Sequence, residues 1–310
     1  MKNYLKKIKI IDDIYINFKW SERKVSYGEE NADKTFYIIR RANSKVGLFS
    51  LVMTTLGHIN YAVGKGYIPI VDLSYDSPKC QKNVGRINVW ELYFEQPCGY
   101  SIKDINNSKN VILSNGIIDN KIPYPGGGIA NDTEELKKWK QVTDKYLIVR
   151  EEIQKEADNL ADIMFGENKI LGVLIRGTDY VNARPPKHPI QPTVEQVVSK
   201  IDEVLKKMKC EHIYLATEDE TIFRQVKRKY GEKVVSMDVK RYITQGNQNI
   251  NDVRKENEEN VCSMEQQYLI NILLLSKCHY LVAGNAGGTQ GALLLNDKYE
   301  YRYVYDLGTY

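Results

Sequence analysis

The sequence predicts an α/β fold in two halves, each with a parallel sheet, and three observations predict it. Short β-branched runs such as Ile170–Ile175, Ile213–Ala216 and Tyr280–Ala283 alternate with longer stretches of helical spacing, the alternation that builds parallel sheets. A length of 310 residues suits two domains of ordinary size. The strand-like runs end in small, polar or charged residues, and open sheets bind ligands at such strand ends.

Composition narrows the class. Hydrophobic residues make up 42% and charged residues 27% of the chain, the proportions of a globular protein with real cores. The net charge of +4 is the small difference between 44 basic and 40 acidic residues. That excludes a dedicated nucleic-acid binder, which needs a concentrated basic face. Five cysteines, Cys80, Cys98, Cys210, Cys262 and Cys278, are widely spaced without a C-x-x-C pair, so reduced thiols are expected rather than a zinc site or disulfide framework. No apolar run is long enough for a signal peptide or a membrane span. A soluble cytoplasmic protein is expected, and weak attachment to a membrane surface through Lys2, Lys6, Lys7 and Lys9 stays open.

In chain order, Thr35 to Ile39 is a strand and 40–47 a polar loop. Leu48, Leu51, Val52, Leu56, Ile59, Ala62 and Val63 recur at helical spacing, closed by Gly64 and Gly66. Ile68 to Asp72 is the next strand, with Pro69 near its start, where a missing N–H is tolerable. This βαβ unit places a loop at a helix N-terminus, which can receive a phosphate. It lacks G-x-G-x-x-G, so a dinucleotide cofactor is not supported. Trp90, Tyr93 and Phe94, with Glu91 and Glu95 interleaved, either pack a core or form a sugar platform with a carboxylate base. Val111–Ser114 is a strand, and 123–128 (PYPGGG) a loop, either a lid or a surface turn. Asp132 to Phe165 is one long helical stretch ending near Gly166, which sets the expected domains at 1–166 and 167–310.

The second half alternates cleanly. Strand Ile170–Ile175 leads to a proline-rich loop carrying His188, then Thr193 and Gln196 form a capping box before a helix. Strand 213–216, helix 221–230 stopped by Gly231, and strand 234–236 follow. The stretch 237–260 is long and polar, a loop of the length that often carries function. Helix 263–276, strand 280–283, the small-residue loop 284–289 and a helix from Gln290 complete the pattern.

Three strands thus end in Arg176-Gly177-Thr178-Asp179, Thr217-Glu218-Asp219-Glu220 and Gly284-Asn285-Ala286-Gly287-Gly288-Thr289. In a doubly wound sheet these ends share one edge. An arginine there offers a fixed fork of donors to a phosphate, although Arg176 and Asp179 can also simply pair with each other. Small residues before a helix can cradle an anion. Two Rossmann-like halves with such an edge describe the GT-B glycosyltransferase plan. Glu218-Asp219-Glu220 can alternatively be a D-x-D-like metal site of the GT-A plan.

The segments GVLIRGTDY (172–180), HPI (188–190), IYLATEDE (213–220) and LINILLLSKCHYLVAGNAG (269–287) resemble the α-1,6-fucosyltransferases and nodulation fucosyltransferases. They resemble more distantly the α-1,2- and protein O-fucosyltransferases. In the first half, 47–72 and NVWELYFE (88–95) are similar to bacterial polysaccharide-biosynthesis proteins. The resemblance implies a GT-B enzyme, two Rossmann-like domains facing a cleft, that is metal-independent and inverting and uses GDP-fucose or another GDP-sugar on a saccharide acceptor. By the same resemblance Arg176 binds the β-phosphate, with Gly177, Thr178 and Asp179 beside it. Thr217, Glu218 and Asp219 lie near the nucleoside, and Asn285, Ala286, Gly287, Gly288 and Thr289 near the phosphates. Asn271 falls where the family has a guanine-reading aspartate. The chain departs at Leu174 and Gly177, where the family often has histidine and a second arginine. It departs again at Tyr180 and Arg184, where the α-1,6 enzymes have lysine and glutamate.

A general base must reach the acceptor hydroxyl, and Glu91, His188 and Asp72 are the candidates by residue type and placement. The function expected is a fucosyltransferase of bacterial surface glycan synthesis. A GT-B transferase using another nucleotide sugar and a non-catalytic nucleotide- or glycan-binding protein are the alternatives.

Overall fold

The computed structural model describes all residues except 1–15, 17, 43–45, 75–86, 118–120, 178–183, 185, 209 and 244–260. The chain forms two compact units. Unit 1 is Met1–Tyr124 with Asp144–Arg150, and unit 2 is Pro125–Thr143 with Glu151–Tyr310. The chain therefore passes between the units three times, which differs from the single division expected at Gly166.

Unit 1 holds a four-stranded sheet in the order β1-β4-β2-β3, with β1 Arg23–Val25, β2 Phe36–Ile39, β3 Ile68–Val71 and β4 Val111–Leu113. The pairs β2–β3 and β2–β4 are parallel, and β1 runs antiparallel to β4 at the edge. Helix α1 (Leu48–Gly64) is the crossover from β2 to β3, and Gly66 with φ +73° turns the chain out of it. Trp90, Tyr93 and Phe94 are buried, so the aromatic cluster is core. Val71 sits at the end of the edge strand β3. Its backbone is paired by side chains: the Gln96 amide donates to Val71 O at 2.9 Å and accepts from Val71 N at 2.9 Å, and Asn88 Nδ2 donates to Val71 O at 2.6 Å.

The helical stretch expected over 132–165 is two helices, α2 (Thr133–Tyr146) and α3 (Glu151–Phe165). The cause is non-local. Val149 forms an antiparallel bridge with Phe94, Glu95 N donates to Ile148 O at 2.8 Å, and Arg150 N donates to Tyr93 O at 3.0 Å. Backbone groups that would continue a helix are used by the aromatic segment of unit 1.

Unit 2 is built on a five-stranded parallel sheet of order β7-β6-β5-β8-β9. The strands are β5 Ile170–Leu174, β6 His212–Ala216, β7 Val234–Val235, β8 Tyr280–Gly284 and β9 Tyr301–Tyr305. In chain order that is 3-2-1-4-5, the Rossmann arrangement. The α/β class with parallel sheets is thus the fold the sequence predicts. Its helices are α4 (Val194–Met208), α5 (Glu220–Tyr230), α6 (Val261–Ser276) and α7 (Gly287–Leu295). The apolar run of β5 is continuous because both its faces are buried. Leu171, Val173 and Ile175 pack with α4 and α5 residues, while a Cβ on Gly172 would come within 2.8 Å of Leu275 and 3.0 Å of Cys278. The capping box at α4 forms, with Gln196 N donating to Thr193 Oγ1 at 3.2 Å and Thr193 N to Gln196 Oε1 at 2.8 Å.

Strands β1 and β9 are absent from the sequence reading. Gly287 to Thr289, expected in a loop, are the first turn of α7, which starts at the extended residue Ala286. Cys98, Cys210 and Cys278 are free thiols, whereas Cys262 is disulfide-bonded, a correction to the reading of all five as reduced. Among the described residues no helix is long and apolar enough to cross a membrane.

Candidate functional site

The site grows from the sheet order of unit 2. From β5 the chain moves outward through β6 and β7, then returns to the other side of β5 for β8 and β9. The switch point lies between β5 and β8, the position where open α/β sheets bind ligands. Arg176 follows β5, Glu218 follows β6 and Asn285 follows β8, so the three strand ends expected to converge do share one edge.

A pocket opens beside β5 and β6 under α6. Its lining includes Arg176, Glu218, Lys240, Tyr242, Tyr268 and Asn271. Arg176 Nε lies 3.0 Å from Glu218 Oε1, with the two side chains 15% and 11% exposed. Glu218 is therefore one carboxylate partner of Arg176, reached across the strand ends. Asp179, the other candidate partner, and Thr178 lie outside the described residues. The two atoms meet without hydrogen-bond geometry, so the contact is one of opposite charges.

Asn271 also lines the pocket, and its Oδ1 accepts the Tyr214 hydroxyl at 2.6 Å. Burial pushes the Tyr214 hydroxyl pKa well up, so it remains a donor. With its oxygen engaged, Asn271 offers amide N–H groups, which suit a base carbonyl better than the N1–H and N2–H of guanine. Thr217 is buried beside it, its Oγ1 accepting from Asp219 N at 3.2 Å.

Asp219 has a different task. Its carboxylate caps α5, accepting from Thr221 N at 2.8 Å and Ile222 N at 3.0 Å. It also fills the space beside Gly177, where an added Cβ would lie 2.3 Å from Asp219 Oδ2. Glycine at 177 and the cap at 219 are thus one packing solution. Glu220 in turn pairs with Arg224 Nε at 2.6 Å. The three acidic residues diverge into an ion pair, a cap and a helix pair, which tells against the metal-site alternative. Among the described residues no group of three or more His, Cys, Asp or Glu could hold a metal.

At the end of β8 the polar groups serve the protein itself. Asn285 Nδ2 donates to Gly127 O at 3.1 Å, its Oδ1 accepts from Gln290 Nε2 at 3.2 Å, and its backbone oxygen accepts from Gln191 Nε2 at 2.8 Å. Thr289, fully buried, donates to Gly284 O at 2.6 Å. The loop at 123–128 is thereby tied into unit 2 through Gly127. Gly287, with Gly288 behind it, presents the first turn of α7, and Gly288 has no room for a side chain because a Cβ would meet the Tyr268 hydroxyl at 2.5 Å. Ala286 is buried.

The base candidates fall elsewhere. Glu91 lies in unit 1, where its Oε1 accepts from Gln96 Nε2 at 2.7 Å. His188 is exposed on a segment that pairs with the C-terminus, where Tyr310 N donates to His188 O at 3.1 Å. Asp72 accepts from Ser74 N at 3.0 Å. None of the three lines the unit 2 pocket.

The sequence reading missed Lys240, Tyr242 and Tyr268. Tyr242 pairs with the end of β6, its N–H donating to Glu218 O at 2.9 Å and its oxygen accepting from Glu220 N at 3.1 Å. Arg241 stiffens that strap by stacking over Phe223 at 3.9 Å and donating to Met237 O at 3.0 Å, and burial pushes its pKa down. Tyr268 stands one turn before Asn271 and Ile272, a helical spacing readable in the sequence.

Comparison with known proteins follows the same lines. Residues 139–286, just under half of the chain, match the family described as alpha-(1,6)-fucosyltransferase N- and catalytic domains. Over that span the chain is fucosyltransferase-like, as its motifs imply. No curated protein matches it in sequence. Among solved structures, NodZ alpha-1,6-fucosyltransferase soaked with GDP-fucose is similar at 16% identity, covering 85% of this chain and 93% of that one, with a TM-score of 0.49. The NodZ fucosyltransferase from Bradyrhizobium gives 15% identity, the same coverages and a TM-score of 0.48. POFUT1 in complex with GDP gives 10% identity, coverages of 89% and 76%, and a TM-score of 0.40.

Proposed function

We propose that the chain transfers fucose from GDP-fucose to a saccharide hydroxyl, with inversion and without a metal ion, in the cytoplasmic synthesis of a bacterial surface glycan. Unit 2 is the donor-holding part in this reading and unit 1 the acceptor-holding part. The observation that carries it is Arg176, paired with Glu218 at 3.0 Å at the end of the central strand, within the span that matches the fucosyltransferase family. When a nucleoside diphosphate departs, negative charge grows on its phosphate oxygens. A guanidinium already fixed in place meets that charge without reorganising, and removing one such donor costs about 3–4 kcal/mol of barrier. Thr217, Asn271 and the strap residue Tyr242 are the groups around the nucleoside, and Gly287 with Gly288 offers backbone N–H groups to the diphosphate.

Thermal unfolding with GDP, GDP-fucose, GDP-mannose and UDP tests the donor site. A ligand at about 100 times its dissociation constant adds about 2.7 kcal/mol, a shift of several degrees for a chain this size. The reading expects stabilisation by GDP and GDP-fucose that disappears in Arg176→Ala. Stabilisation by UDP alone would replace the base. No shift with any of the four would remove the donor site.

One observation favours a binding protein without transfer. The place of the family's second arginine is Gly177, and Asp219 occupies the room it would need. GDP-fucose turnover separates the two readings, since a binder is stabilised by the nucleotide and leaves the sugar attached.

A further inference from the structure

The pocket beside β5 and β6 carries two side-chain amides from α6. Gln267 and Asn271 are four residues apart and both line it, the spacing that puts two side chains on one helix face. Met264, Tyr268 and Ile272 extend the lining along the same helix. All five residues belong to unit 2.

Tyr214 decides which way the Asn271 amide faces. It stands in the middle of β6, fully buried, with its ring edge-on to Phe165 at 5.3 Å. Its hydroxyl donates to Asn271 Oδ1 at 2.6 Å, its one hydrogen bond among the described residues. Burial keeps that proton on the oxygen. Turning the amide over would set an N–H against the hydroxyl and leave the phenolic proton without an acceptor, a costly state for a buried group. Oδ1 is therefore held. Nδ2 has no partner among the described residues and is the polar atom that Asn271 gives the pocket. The Gln267 amide is exposed and also makes no hydrogen bond among the described residues, so its oxygen is open to a donor.

A fixed N–H donor with an amide oxygen one turn away complements a ring carbonyl beside a ring N–H. Guanine presents that edge as O6 and N1–H. Adenine presents an amino group and a bare nitrogen at the same places, so it meets donor with donor and acceptor with acceptor. The 2-amino group of guanine lies beyond N1 and takes no part in this match.

We propose that Asn271 Nδ2 and Gln267 Oε1 read the donor's base at its carbonyl and adjacent ring N–H, that the 2-amino group of guanine is left unread, and that Tyr214 is the positioning residue that sets the Asn271 amide. This rests on the reading of the pocket as the GDP-sugar site and narrows it: hypoxanthine satisfies the site as well as guanine does.

Calorimetric titration of the full chain with GDP, IDP, ADP, UDP and CDP tests it. IDP lacks only the 2-amino group of GDP, and ADP inverts the donor and acceptor of the IDP edge. IDP is expected to bind within about twofold of GDP and ADP about tenfold or more weaker, the effect of about one hydrogen bond. IDP tenfold weaker than GDP, or ADP equal to IDP, overturns the proposal and leaves the donor site standing, because GDP still binds. In Tyr214→Phe the amide is released and Oδ1 can turn to the 2-amino group, so the preference for GDP over IDP should rise by up to about tenfold. A ratio of affinities does not move with a mere loss of stability, and an unchanged ratio removes Tyr214 from the positioning role. Gln267→Ala should weaken GDP and IDP and leave ADP as it was, and an equal loss for ADP would show that Gln267 only packs. Binding of UDP without CDP would end the guanine reading and keep the contact, since uracil has the carbonyl and N–H that cytosine lacks at that edge. Binding of none of the five would end both readings.

Discussion

Arg176 and Glu218 are each nearly covered, and their opposite charges offset each other there. Breaking a buried pair from one side costs about 3–5 kcal/mol, because the remaining charge is left uncompensated. Glu218→Gln should therefore lower the unfolding temperature in the absence of ligand. It should also enlarge the stabilisation by GDP, since a phosphate would replace the lost carboxylate. A calorimetric series with and without GDP checks both, and a smaller GDP shift would show that Glu218 positions the arginine rather than merely neutralising it. Gly177→Ala tests the packing beside it. The added methyl runs into Asp219 and also disturbs the α5 cap, so urea unfolding should show a loss of about 1–3 kcal/mol. Wild-type stability would mean that Asp219 yields at no cost. Arg176 was legible in the sequence because a charged residue directly after a buried strand has few places to go. Its partner was not, because Glu218 sits 42 residues later and only strand pairing brings it near.

Elements were read where spacing alone decides them. The alternation of β5, α4, β6, α5 and β8 follows from local periods, and the capping box before α4 forms as its four residues dictate. The break between α2 and α3 was illegible because its cause is a pairing with Phe94, more than fifty residues earlier. Strand β9 was missed because YRYVY is rich in tyrosine and has few aliphatic residues, although Tyr305 packs into the core. An ion pair between α3 and the end of α6 gives a test at this scale. Asp158 Oδ1 lies 2.5 Å from Lys277 Nζ, and the hydrogen bond from that ammonium lowers the carboxyl pKa. A lowered pKa stabilises the fold above the unfolded-state value, and the contribution disappears as pH falls through the folded value. Both side chains are about a third exposed or more, so screening limits the effect to about 1 kcal/mol or less. Urea midpoints from neutral pH downward should fall less steeply in Asp158→Asn below about pH 4, near the unfolded aspartate value. Parallel curves would remove Asp158 from the acid limb.

For the whole molecule, the division into units sets what can be cut away. Pro125–Thr143 and Glu151–Phe165 belong to unit 2, and α3 packs closely with α6. A fragment 167–310, cut at the boundary the sequence suggests, lacks both helices and should unfold without a cooperative transition. A fragment 125–310 keeps them and should melt cooperatively. Chelation offers a second test: with EDTA present, the stabilisation by GDP should persist, and its loss would restore a metal to the donor site.

Each sheet also has outer strands whose free backbone groups could recruit another chain. In unit 1 the Asn88 and Gln96 amides already bond the main chain at Val71, so β3 ends against its own protein. Side chains there stand in for a neighbouring strand. The consequence concerns colloidal behaviour more than catalysis: Gln96→Ala would uncover a β-sheet margin, and light scattering at high concentration should detect self-association before any change in activity is seen.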